Sequence, residues 1–161
     1  MIPFHRQSTG AIVADFDNNE RLFLSDLASQ LVEVLEAEGT DPAVERLLPR
    51  AYPGDAEASA EFRRFTAETL TERKIEHART MIASLDAPDD EESFFDLSDA
   101  EVQAWLRTLT DLRLTLAVRL EINNDNEEGR TDEDAEPLQT VYFWLGGLQE
   151  SLLTALLAAE K

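Results

Sequence analysis

The strongest constraint on this chain is the spacing of its apolar residues, which repeats at the helical interval through four long segments. Over residues 20 to 38, Phe23, Leu24, Leu27, Leu31, Val34 and Leu35 recur at i, i+3 and i+4, and Gly39 ends the pattern. Asp41 and Pro42 read as the cap and first position of a short helix, which RLLPRAYPGD stops. Long helices are predicted over 55–85, over 98–122 and, opened by Pro137, over 137–159. The pair Ser98 and Glu101 is a capping-box pattern for the third of the four, and Asn123 and Asn124 close it. Ahead of them all, FHR and AIVADF flank QSTG, which predicts a β-hairpin within residues 1–17, with DNN turning the chain into the first helix. The expected fold is mainly α: a helical bundle of about four long helices plus one short helix, with a short N-terminal β-hairpin, forming a single domain over residues 1–161.

Charge separates the connections from the helices. The chain holds 34 acidic residues against 14 Lys and Arg, a formal net charge of −20, and residues 86–99 and 123–136 supply −7 and −6 of it. Segments so poor in periodic apolar surface are expected to be solvated acidic loops, over 86–97 and 123–136. Such a field opposes phosphate backbones, so tight DNA binding is disfavoured unless a local basic face escapes it. No cysteine is present, which removes disulfides, thiol redox chemistry and zinc–thiolate sites. MIPFHRQSTG has no apolar run after its basic residues, and no later stretch approaches about 18 uncharged apolar residues, so a cytoplasmic protein without a membrane segment is expected.

One charged residue is out of place. In AWLRTLTDLRLTLAVRL, residues 104–120, the side chains of Leu106, Leu109, Leu116, Ala117 and Leu120 fall on one stripe, with Arg113 near its midline. The helix over 55–85 carries Phe62 and Phe65 on its apolar face, and then Thr66, Thr69, Arg73, Glu76, His77 and Thr80 further along it. In the last helix Gln149 lies about 40° from Leu145, inside the face made by Leu138, Leu145, Leu152 and Leu156. A buried unpaired charge costs several kcal/mol, so Arg113 needs a carboxylate, carbonyl or amide, for which Glu61, Glu76, Gln149 or Glu150 could serve. The expectation is a buried polar network of Arg113, Arg73, His77 and Gln149 that sets helix register; the competing reading is a pocket in which Arg113, aided by Arg73 and His77, holds a small anionic ligand.

Catalytic patterns are missing. Asp15, Asp17, Asn19 and Asp26 imitate calcium-loop positions, but Glu20 stands where glycine belongs; NNDNEEG reaches Ala135 at its closing position. His5 and His77 lack the paired spacing of a helical metal centre, and there is no glycine-rich phosphate loop and no G-x-S-x-G elbow. We therefore expect no catalytic residue, no metal, no cofactor and no enzymatic activity.

DPAVERLLPRAYPGDAEASAEFRRFTAETL, AWLRTLTDLRLTLAVRLEI and VYFWLGGLQESLLTAL, with the AIVADF start, resemble an actinobacterial family long described as a domain of unknown function. Its members are also described as actinomycete oxidative-stress transcriptional regulators. The resemblance implies a small regulatory protein, often encoded beside the Clp protease adaptor, that acts through RNA polymerase or a sigma factor. Redox sensing in that group is attributed to a closely spaced cysteine pair. This chain has no cysteine, so a thiol switch does not carry over, and no functional residue of the family maps onto a position here.

Two partner surfaces are expected. Arg46, Arg50, Arg63 and Arg64 cluster near the short helix and could meet a protein partner or DNA, although Glu45, Asp55, Glu57 and Glu61 are interleaved with them. A helix-turn-helix-like reading of residues 41–65 is weakened by the length and acidity of its second helix, so protein contact is preferred to direct DNA binding. VYFWLGGLQESLLTALL is apolar nearly all round, and that surplus calls either for the N-terminal hairpin or for a second copy in a homodimer.

Overall fold

The computed structural model describes residues 3–37, 42–47, 56–86, 94–122 and 129–158. Strands β1 (Phe4–Arg6) and β2 (Ile12–Asp15) form the expected hairpin. Gln7 N–H donates to Ala11 O and Gly10 N–H to Gln7 O, with Gly10 at φ 91°, where a side chain would be strained. Helix α1 (Asn18–Glu36) starts two residues earlier than its apolar pattern implied, because Asp17 and Glu20 cap it reciprocally: Glu20 N–H donates to Asp17 Oδ1 at 2.8 Å and Asp17 N–H to Glu20 Oε1 at 3.0 Å. Helices α2 (Pro42–Leu47) and α3 (Ala56–Leu85) follow.

The acidic segment 86–97 is not a loop throughout. Phe94–Leu97 is a third strand, β3, antiparallel to β2 with Ile12 opposite Leu97 and Ala14 opposite Phe95. Its side chains alternate, Leu97 buried and Phe95 half-buried against exposed Phe94 and Asp96, a two-residue period that the surrounding carboxylates hid. Helix α4 (Asp99–Arg119) opens with the expected box, Ser98 capping Glu101 N–H and Glu101 capping Ser98 N–H. It closes earlier than Asn123: Glu121 adopts φ 61°, Ile122 N–H reaches back to Ala117 O and Glu121 N–H to Val118 O, a Schellman ending with glutamate where glycine is usual.

The second acidic segment is also partly built in. Arg130 N–H donates to Leu120 O at 2.7 Å, its guanidinium pairs with Asp132, and Gln139 donates to Arg130 O. A single 3-10 turn, Glu133–Ala135, leads into helix α5 (Glu136–Leu157), which thus begins one residue before Pro137. Of this segment, residues 123–128 lie outside the described residues, as do 87–93 of the first and Gly39.

The fold is mainly α, with a three-stranded sheet in the order β1-β2-β3. Helix α4 packs against α1, α2, α3 and α5, and β1 lies along α5. One apolar core draws on every strand and helix, including Phe4, Leu24, Leu47, Met81, Leu97, Trp105 and Leu145. At its centre Trp105 stacks on Phe16 at 5.7 Å and meets the Phe4 ring edge-on at 5.4 Å, while its indole N–H donates to Ser84 Oγ on α3 at 2.8 Å.

Candidate functional site

Helix α4 carries two polar clusters, on opposite sides. Its buried arc is wider than the leucine stripe, because Ala104, Trp105, Thr108, Asp111 and Leu112 are buried as well, with Asp111 and Trp105 reaching α3. The centre of the arc is therefore rotated away from Arg113, which sits at the margin toward α5, half-buried. Arg113 finds a neutral amide as its partner: Nη1 donates to Gln149 Oε1 at 3.0 Å, and Gln149 Nε2 donates to Thr110 Oγ1 at 2.6 Å. The guanidinium carbon lies 5.0 Å from the centre of the Tyr142 ring, and Gly146 leaves the space it occupies, since a Cβ there would stand 3.4 Å from Nε and Nη2. Among the described residues Arg113 Nε has no hydrogen-bond partner.

Asp111 is buried far more deeply than Arg113, at 3% exposure, and nothing in the apolar pattern marks it. Lys74 Nζ of α3 donates to Asp111 Oδ1 at 2.8 Å. Burial pushes the Asp111 carboxyl above the usual aspartate range, opposed by the Lys74 hydrogen bond and by the charges of Lys74, His77 and Arg107. Its invisibility in sequence is physical: one acid among charged residues of an amphipathic helix looks exposed until α3 supplies an ammonium at the right height. On the helical wheel Asp111 lies about 160° from Arg113 but only about 40° from Arg107, at the edge of the charged face, so its angle alone carries no sign of burial.

The anticipated network thus divides. Arg113 and Gln149 meet on the α5 side; His77 is half-buried on α3 within electrostatic range of Asp111; Arg73 is exposed and joins neither cluster. The guanidinium of Arg113 is held between Tyr142, Gln149 and Gly146 instead of facing an open anion pocket with Arg73 and His77. The side chains of Arg46, Arg63 and Arg64, with those of Glu61, Phe62 and Phe65, lie outside the described residues, and so does all of Arg50. Among the described residues no group of three or more His, Asp or Glu is placed to hold a metal ion, and no helix is long and apolar enough to cross a membrane.

What the two clusters do chemically is fasten α4 to α3 and to α5. A surface feature is better suited to recognition. Leu22 is 70% exposed and Phe23 41% exposed on α1, and the Phe23 ring leans on Trp144 of α5 with centroids 5.8 Å apart. The two helices thereby present one aromatic ridge on an otherwise acidic chain.

The profile of a family described as "Domain of unknown function (DUF2017)" matches residues 1–156. Among curated relatives, the oxidative stress regulator AosR of Mycobacterium tuberculosis strain H37Rv is 28% identical over 167 aligned positions, covering 94% of this chain and 76% of that protein. A Mycobacterium leprae protein that also carries the AosR name is 33% identical over 131 residues, 73% of this chain but only 59% of the relative's length. No solved structure matches the chain.

Proposed function

The chain belongs to the DUF2017 family, and on that premise we propose that it is a non-enzymatic cytoplasmic regulator that acts in transcription through protein contacts. Relatives named as oxidative stress regulators support the regulatory role. The observation that carries protein contact is the ridge of Leu22, Phe23 and Trp144. On a chain at −20, Leu22 and Phe23 are large apolar side chains left exposed on α1, beside the half-buried Trp144 of α5, which supports a contact surface there. The same net charge works against direct DNA binding as the alternative mode.

The test is retention of purified RNA polymerase holoenzyme on the immobilised chain. Binding is expected for the wild type and loss for Phe23→Asp, whose exposed position lets the fold persist. Equal retention by both would remove the ridge from the interaction, and no retention would remove the polymerase as partner. Fluorescence anisotropy with duplex DNA at two salt concentrations separates the modes: affinity that falls steeply with salt would replace this reading with DNA binding.

A further inference from the structure

Helix α5 keeps an uncovered face even after the hairpin docks. Ser151 Oγ accepts from Phe4 N–H at 3.2 Å and donates to Phe4 O at 3.4 Å, while Arg6 donates to Ala155 O and Leu156 O at the end of the helix. The outer polar groups of Phe4 are therefore satisfied within the chain, so this edge of β1 is not a template for another strand. Beside it lies a groove of about 490 Å³, lined by His5 and Arg6 on the strand side and by Gly147, Ser151 and Thr154 on the helix side, with Glu150 at its rim. One turn before Gly147, Phe143 stands 72% exposed. Residues 143, 147, 150 and 154 recur at i, i+4, i+7 and i+11, so the exposed ring and the groove share one helix face.

We propose that two copies of this chain pair through α5 about a two-fold axis near Gly147 and Glu150, each Phe143 filling the groove of the other copy. Antiparallel helices centred there bring Phe143 opposite Thr154 of the second copy, and two-fold symmetry makes both contacts from one knob and one groove. Charge selects this face. Two chains at −20 repel over most of their surface, but Glu136–Leu157 contains two acids and no Lys or Arg, and β1 adds His5 and Arg6. In this register the strand wall of His5 and Arg6, docked along Ser151–Leu156, faces Phe143 of the other copy, and the two Glu150 carboxylates lie near the axis at the groove's edge. Gly147 permits the approach: a Cβ built there meets nothing within 4 Å. The pairing uses residues of α5 and β1 whereas Leu22 and Phe23 belong to α1, so Phe143→Asp and Phe23→Asp test the pairing and the polymerase contact separately.

The chain has no cysteine, so a single introduced thiol reports the geometry cleanly. Gly147→Cys is expected to give a disulfide-linked dimer under mild oxidation, while Leu22→Cys, equally accessible on α1, stays monomeric under the same conditions. Sedimentation equilibrium of the wild type should show twice the chain mass at micromolar concentration, and Phe143→Asp should weaken pairing by about tenfold or more. Glu150→Gln, which removes the like-charge approach of the two carboxylates near the axis, should tighten it. A monomer mass for the wild type throughout the micromolar range overturns the proposal, as does a dimer that Phe143→Asp leaves equally tight or a crosslink as efficient at Leu22 as at Gly147.

Discussion

Lys74 Nζ and Asp111 Oδ1 stand 2.8 Å apart in an asymmetric ion pair, the acid side chain 4% exposed and the base 21% exposed. Lys74 keeps a path to water and Asp111 does not, so the two ends of the pair differ in what their loss costs. Removing the lysine leaves a carboxylate in the core, whereas neutralising the aspartate leaves an ammonium that can solvate. Lys74→Ala is expected to lower unfolding free energy by about 2–3 kcal/mol, and Asp111→Asn by less. Urea unfolding of the two variants checks the order; a larger loss for Asp111→Asn would mean that the pair is worth more than the desolvation it costs.

The pH dependence follows from the same carboxyl. Burial raises Asp111 in the folded chain above its ordinary value of 3.8, so between that value and the raised one the native state binds more protons than the unfolded state. In that window Asp111 makes stability rise as pH falls, and the contribution is lost as pH increases through the folded-state value. The stability difference between wild type and Asp111→Asn should therefore move in favour of the wild type on acidification. Parallel melting curves at matched ionic strength measure it, and a shift in the opposite direction would show that Lys74 outweighs burial.

Arg113 is expected to matter less than its place in the sequence suggests. Its partner Gln149 is neutral and keeps a second bond to Thr110, so no charge is stranded when the guanidinium goes. Arg113→Ala should cost about 1 kcal/mol. Arg113→Met, which keeps a chain against Gly146 and Tyr142 and removes the unpartnered Nε, should lie within about 0.5 kcal/mol of the wild type. A loss of several kcal/mol for the methionine variant would point to a charged partner for this side chain.

Two left-handed residues at the end of α4 should respond in opposite ways. A Cβ on Gly129, at φ 75°, would fall 2.5 Å from Leu120 O and 2.6 Å from Ile122 Cγ1, so Gly129→Ala is expected to cost more than about 2 kcal/mol. Glu121 already bears a side chain at φ 61°, and Glu121→Gly should raise stability by up to about 1 kcal/mol. Thermal unfolding of the pair tests the contrast, and destabilisation by Glu121→Gly would assign the glutamate side chain a contact that offsets its backbone strain.

The helices were legible because each records its own period and its own caps. Leu24, Leu31 and Leu35 mark the buried side of α1 without reference to any other element, and Ser98 with Glu101 places the start of α4 to within a residue. The cap formed by Asp17 and Glu20 is equally local, although DNN in isolation has the composition of a turn. Strand β3 is different: Phe94–Leu97 is four residues long beside a run of carboxylates, and its alternation acquires meaning only once β2 offers the hydrogen bonds.

The sequence by itself determined where the helices run, the N-terminal hairpin and the acidity of the connections, since these depend on contacts within a turn or two of the chain. Tertiary structure alone decided which polar side chains are buried and what they meet. A helical wheel gives the angle between Arg113 and Asp111 but not the direction in which α3 and α5 approach. Because α4 packs against α3 on the side of Asp111, the acid went into the core with Lys74 above it, and the arginine was left at the margin beside Gln149. Burial is a property of the neighbour's position, and that position is set by the whole core packing around Trp105, from Phe4 at one end of the chain to Leu152 near the other.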